Sequence, residues 1–247
     1  MIKKIFITNK MEITTGVDCL NDKLDINSIA AGIVFYVPDE HQVVLEHDRT
    51  NRLPKLSKLP HVIMCNHYSD MSLNIPGGKI EKGESIVDGV NREFNEEVLG
   101  RPDYTLSGKP IFNETHFKFK KKGESCHNVY VFVRIIRCID TYKNLMYDMQ
   151  KSSMSILDSV SKWNSTDTFG GISIPIFMEV SDNNNVDESI GFPGLLKNIA
   201  HLHRSSLILC LLSSIDDENE CVLTQEGRDY FLSKKYSYPG IPTICHF

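Results

Sequence analysis

Residues Ile75–Gly100 read IPGGKIEKGESIVDGVNREFNEEVLG, six carboxylates and two glycine-containing turns within twenty-six residues. Ser85 with Asp88 three residues on makes a capping-box-like start, and Val87, Val90, Phe94 and Val98 form an apolar stripe at helical spacing. Gly100, followed by Pro102, stops the helix. Glu93, Glu96 and Glu97 then stand at i, i+3 and i+4 on one face, beside the stripe. Each like-charged pair at that spacing costs a few tenths of a kcal/mol unless a cation neutralises it. A solvated acidic face is the plain reading of such a run, and an oxygen-only cluster suited to Mg²⁺ or Mn²⁺ is the functional one.

The surroundings of this helix bound the fold. A chain of 247 residues holds one large domain with elaborations, and 41% hydrophobic with 24% charged residues is ordinary for a soluble globular protein. A net charge of −5 gives no bulk attraction to nucleic acid or an anionic membrane. The seven cysteines are scattered singly, with no CxxC pair and no signal peptide, which reads as reduced thiols in an intracellular protein. The longest apolar run, Leu207 to Leu212, is too short to span a bilayer, so no membrane partner is expected.

Short apolar or alternating runs at Lys4 to Thr8, Ala31 to Val37, Gln42 to Glu46, His61 to His67, Ile111 to Phe119, Val129 to Ile136 and Ile172 to Val180 predict strands. Only one strand is expected before residue 30, and a basic, proline-containing insertion separates the third and fourth of these runs, at residues 48–60. Asp140 to Ser161, Leu195 to Leu212 and Thr224 to Lys235 predict helices, and Tyr236 to Phe247 a tail. The expected fold class is α/β, a mixed sheet between helices in an α/β/α arrangement. The expected organisation is an N-terminal arm over 1–29, a core domain over 30–215 and a C-terminal extension over 216–247.

Counting from Gly78, five residues lead to Glu84, and seven more to Arg92-Glu93-Phe94-Asn95-Glu96-Glu97. This is the spacing Gly-x5-Glu-x7-Arg-Glu-apolar-x-Glu-Glu, and it resembles the signature box of the Nudix hydrolases. Six specified positions, each at roughly 5–10% frequency, coincide by chance in a chain of this length about once in ten thousand or fewer. Gly77 and Gly78 permit a tight turn after a strand, and Arg92 can fork onto Glu84 or Glu96. The resemblance implies the Nudix fold, a diphosphate-containing substrate cleaved by water, and divalent cations, Mg²⁺ or Mn²⁺. It implies that Glu93, Glu97 and the Gly77 carbonyl hold metal, with Glu96 a further ligand or the group that readies the water. Gly78 and Glu84 are then structural. Some Nudix enzymes place the base outside the box, and Glu114, His116 and Glu124 are candidates here.

Asp88-Gly89-Val90-Asn91-Arg92-Glu93 is similar to the Asp-Gly-Leu-Asn-Arg-Glu of the snoRNA-decapping and inosine-diphosphatase subfamily, and Gly89 inside a helix is a costly residue to share. Weaker similarity covers roughly residues 30 to 215, through Phe35 to Asp39, His116, Ile174 to Phe177 and the Leu195 to Leu212 segment. Carried over by alignment, the substrate-binding positions are Gly32, Tyr68, Ile75 and His116. Gly32, Tyr68 and Ile75 stand where that subfamily has a base-contacting His, an Arg and a stacking Phe, which alters purine recognition. The final glycine of the box also falls one residue late, at Gly100, which moves only the helix end. The lysine-aromatic stretch Phe117 to Lys122 reads as an edge strand guarded by lysines or as a backbone-and-base contact. His201 and His203, two apart on a helix, do not share a face, and His127 has no partners at ligand spacing.

These readings lead to a metal-dependent pyrophosphohydrolase acting on capped RNA or a nucleoside diphosphate. The alternatives are a house-cleaning hydrolase of ADP-ribose, a dinucleotide or a sugar nucleotide, and a non-catalytic RNA-binding scaffold of the same fold. The resemblance further implies a homodimer and nuclear, nucleolar and cytoplasmic residence.

Overall fold

The computed structural model describes residues 4–7, 11–15, 24, 27–46, 58–67, 73–113, 117–122, 128–159, 168–180, 191–197, 199, 206–207, 210–211 and 222–233. The strands are β1 (Lys4–Ile7), β2 (Met11–Thr15), β3 (Ile29–Tyr36), β4 (Val44–Glu46), β5 (His61–His67), β6 (Leu73–Asn74), β7 (Gly77–Lys79), β8 (Phe117–Lys122), β9 (Asn128–Ile136), β10 (Thr168–Pro175) and β11 (Met178–Val180). The helices are α1 (Ile86–Leu99), α2 (Ile139–Ser159), α3 (Gly191–Leu196) and α4 (Gln225–Ser233). Among the described residues no helix is long and apolar enough to cross a membrane.

The sequence IAAGIVFY of β3 is apolar without alternation, and the strand is buried on both faces at the centre of a mixed sheet ordered β1-β2-β8-β9-β3-β5-β10. It runs parallel to β9 over its whole length. Its other edge is shared: β7 pairs with Ile29–Ala31 and β5 with Val34–Tyr36, both antiparallel. The two partners part at Gly32, whose N–H instead reaches the Pro76 carbonyl at 2.9 Å. This fork in the sheet is where the acidic helix delivers its last turn.

On one face Val90, Phe94, Val98 and Leu99 of α1 and Tyr142, Leu145 and Met149 of α2 cover Ala30, Val34, Ile63 and Phe132. On the other, Phe192, Leu196, Leu207, Leu211, Val222 and Leu223 cover Ile33, Phe35, Met64 and Val133. The α/β/α layering is therefore as the sequence predicts, and residues 222–223, in the expected C-terminal extension, are part of the second core.

Four elements depart from expectation for local reasons. A second N-terminal strand, β2, pairs with β1 and with β8, its short MEITT alternation being hidden in polar surroundings. The expected strand from Ile111 is not formed at residues 111–113, where both backbone groups of Phe112 are taken by the Asn91 side chain: its N–H donates to Oδ1 at 2.9 Å and its carbonyl accepts from Nδ2 at 2.9 Å. Ile172 to Val180 divides into β10, antiparallel to β5, and β11, parallel to β4: the Ile176 N–H still reaches the Pro60 carbonyl, and the Met178 N–H turns to the Val43 carbonyl. The Leu195 to Leu212 helix is broken: α3 stops at Leu196, Ile199 bridges Leu73 in a parallel sense, and the helical residues 206–207 and 210–211 follow. The apolar spacing there reports burial rather than one continuous helix. Residues 47–57, most of the basic insertion, and the tail beyond 233 lie outside the described residues.

Asn91→Ala should expose the cost of the first of these contacts. It leaves a buried N–H and carbonyl without partners, so a loss of about 2–4 kcal/mol is expected. Thermal melts followed by circular dichroism should show it as a fall of roughly 5–10 °C, with the helical signal retained.

Candidate active site

Helix α1 is fixed at both ends. The Ser85 hydroxyl accepts the Asp88 N–H at 3.1 Å, and Gly100 takes the left-handed conformation, φ 65°, with its N–H on the Glu96 carbonyl. The late glycine thus lengthens the helix end and leaves the acids where the spacing puts them.

Arg92 gathers three of those acids. Its Nε donates to Glu84 Oε1 at 2.9 Å and Nη2 to Glu84 Oε2 at 3.1 Å, a bidentate fork. Its Nη1 donates to Glu93 Oε1 at 2.9 Å and to Glu96 Oε2 at 3.2 Å, and Nη2 also reaches the Lys79 carbonyl at 2.9 Å. Hydrogen bonds to Glu84 hold the guanidinium charged far above any working pH. Burial disfavours the Glu84 charge, but Arg92 and the Glu81 N–H outweigh it and keep the carboxyl below its usual range. Gly89 makes room for this arrangement: a Cβ there would stand 3.2 Å from Glu84 Oε2 and 3.3 Å from Ile80 Cγ1.

Glu97 is different. It turns inward to the fork, where Oε2 accepts the Gly77 N–H at 2.8 Å and faces the Cys65 Sγ at 3.5 Å. Among the described residues no arginine or lysine is one of the main influences on its charge. Burial, against the opposing pull of the Gly77 hydrogen bond and with Glu93 and Glu96 adding repulsion, pushes its carboxyl up to about 7. Burial also raises Glu93, with Arg92 pulling the other way. Gly78 gives Glu93 its space, since a Cβ on Gly78 would lie 2.5 Å from the Glu93 carboxyl. Glu96 is the outermost of the set, its side chain 44% exposed.

Among the described residues no three His, Cys, Asp or Glu side chains form a ready-made cation cage. Glu93 and Glu97 nonetheless fit an oxygen-seeking divalent cation: two carboxyls one turn apart, each disfavoured as an anion by burial and each raised further by other acids of the helix.

The metal-free protein should reveal this cost. Glu97 binds its proton more tightly folded, at about 7, than at the ordinary 4.5. Between those values the folded state holds more protons than the unfolded one, so its stability falls as pH rises through that window. The fall is bounded at about 3 kcal/mol. Melts in chelator from pH 4.5 to 8 should show it, Mg²⁺ or Mn²⁺ should flatten it, and Glu97→Gln should remove most of it.

The other expected site residues separate. Ile75 is 3% exposed and belongs to the core on the face opposite α1, which buries it away from any stacking role. Gly32 is buried, and a Cβ there would meet the Phe112 ring at 2.5 Å and Val90 at 3.1 Å, so that direction is filled by core rather than open to a base. Tyr68, His116, Glu114, Glu124, His127, His201 and His203 lie outside the described residues. Cys65 carries no signal of a role in the sequence. Its place on β5 opposite Asn74 emerges only from strand pairing.

Residues 27–145 match the family model of the NUDIX domain. No curated protein matches the chain. Among solved structures, it is similar to a mutant of the Bacillus subtilis pyrophosphohydrolase BsRppH, at 12% identity and TM-score 0.31, over 69% of this chain and 76% of that one.

Proposed function

We infer, from a chain whose residues 27–145 match the family model of the NUDIX domain, that the protein is a metal-dependent pyrophosphohydrolase that splits a phosphoric anhydride bond with water. The observation that carries this is Glu97, a buried carboxylate with no arginine or lysine of the described residues among the main influences on its charge, tied to Gly77 and set at family spacing among Glu93, Glu96 and Arg92. Such a group is costly unless a cation shares it.

Glu93, Glu97 and the Gly77 carbonyl would hold Mg²⁺ or Mn²⁺, with Glu96 able to join them. A divalent cation held there would supply the charge that neutralises the diphosphate and what grows on it during displacement. Arg92 has every donor engaged with protein oxygens, so it orients Glu84, Glu93 and Glu96 and leaves substrate binding to other groups. Glu96, exposed and tethered at one oxygen, is free to take a proton from an attacking water.

For substrate we propose capped RNA or a nucleoside diphosphate such as inosine diphosphate, on the likeness of residues 88–93 to the snoRNA-decapping subfamily. A homodimer and nuclear plus cytoplasmic residence belong to the same proposal. The test is product analysis by chromatography with capped RNA, inosine diphosphate and ADP-ribose, each with Mg²⁺, Mn²⁺ or chelator. Preferred cleavage of the first two supports the reading. Preferred cleavage of ADP-ribose replaces it with that of a house-cleaning hydrolase. Cleavage of none of them in any metal overturns the enzyme assignment.

A further inference from the structure

Glu97 is reached from two strands that diverge. Gly77 lies on β7, paired with the start of β3, and Cys65 on β5, paired with its end. Both offer a donor to one oxygen, Oε2: the Gly77 N–H at 2.8 Å and the Cys65 Sγ–H at 3.5 Å. The thiol is fully buried and lies 3.4 Å from the Asn74 carbonyl as well, so its single hydrogen has these two acceptors and no access to solvent.

When the thiol hydrogen is turned to Glu97 rather than to Asn74, two donors on the same carboxylate oxygen fix the plane of the group, because rotation about its last bond would break both. Oε2 is thereby engaged on the protein side. Resting on the metal-binding reading above, we propose that Cys65 and the Gly77 N–H form a two-strand anchor that presents Glu97 Oε1 to the bound cation, with Cys65 as a positioning residue. The anchor also joins β5 to β7 across the fork, so the carboxylate is aimed by the sheet itself and not by helix α1 alone. A side chain at position 65 without a donor leaves Glu97 held at one point, free to swing about the Gly77 bond.

The measurement is Mn²⁺ affinity, read from the free-ion electron paramagnetic resonance signal, for wild type, Glu97→Gln, Cys65→Ala and Cys65→Ser. Wild type should bind and Glu97→Gln should bind far more weakly. Cys65→Ala should weaken binding about five-fold, the scale of one modest hydrogen bond to a charged group. Cys65→Ser keeps a donor on a shorter arm and should fall between wild type and Ala. In turnover, Cys65→Ala should lower kcat and raise the half-saturating Mn²⁺ while leaving the substrate KM within about two-fold, a split that general loosening would not produce. Should Cys65→Ala fail to fold, Cys65→Val, which fills the volume but donates nothing, makes the same comparison. Binding weakened by Glu97→Gln but untouched at position 65 overturns the anchor and leaves the metal reading standing. Absence of Mn²⁺ binding by wild type overturns both.

Discussion

Glu97→Gln should lower kcat by about a thousand-fold or more while leaving a folded protein. The amide keeps nearly the same shape, and its carbonyl oxygen can still accept from Gly77 and Cys65, so the fork in the sheet stays closed. What it loses is the negative charge. Glutamine cannot neutralise a divalent cation, and its own burial is less costly than that of the carboxylate pushed up to about 7. In chelator near pH 8 the variant should therefore melt no lower than wild type, and added Mn²⁺ should raise the melting temperature of wild type only. Activity and stability moving in opposite directions is the signature of a residue kept for function at the expense of folding.

Arg92→Ala should damage both. One side chain satisfies Glu84, Glu93 and Glu96, and its removal leaves three acids without their shared counter-charge. Arg92 and Glu84 keep 19% and 14% of their side-chain surface exposed, so solvent absorbs part of the loss and about 2 kcal/mol of destabilisation is expected rather than the full value for a buried pair. The effect on turnover should be larger, about a hundred-fold in kcat, because Glu93 loses the contact that fixes its rotamer and small misplacements of reacting groups are costly. Arg92→Lys should rescue little: a compact ammonium cannot make the two-point contact with Glu84 while reaching Glu93. Thermal melts and steady-state kinetics on the two variants measure these effects side by side, and a lysine variant of wild-type activity would show that Arg92 supplies charge alone.

The helix and its acids were legible because they depend on local rules: a serine cap, a four-residue stripe, a glycine stop and a fixed count between Gly78 and Glu97. The same counting could not separate the roles of the acids. Glu97 differs from Glu96 by facing inward, and that follows from which strands stand beneath α1 rather than from spacing. Gly89 and Asn91, which carry much of the likeness to the snoRNA-decapping subfamily, both have local tasks here, one seating Glu84 and the other holding Phe112. Their likeness therefore speaks for this packing as much as for a substrate. The substrate-binding positions Gly32 and Ile75, where the subfamily has a base-contacting His and a stacking Phe, came from alignment, which fixes order along a chain. It does not fix which face of a strand a residue presents, and here both positions are occupied by core. Cys65 was invisible for a related reason: nothing in HVIMCNH distinguishes a core cysteine from one that touches a carboxylate thirty-two residues away.

The most direct test of the account is the fate of a phosphoric anhydride bond in the presence of the wild-type protein, with capped RNA and inosine diphosphate incubated in ¹⁸O-labelled water and either Mn²⁺ or chelator. Phosphate-bearing products should carry the label, formed with Mn²⁺ and not in chelator. Cleavage that proceeds equally in chelator, or products without the label, would contradict it.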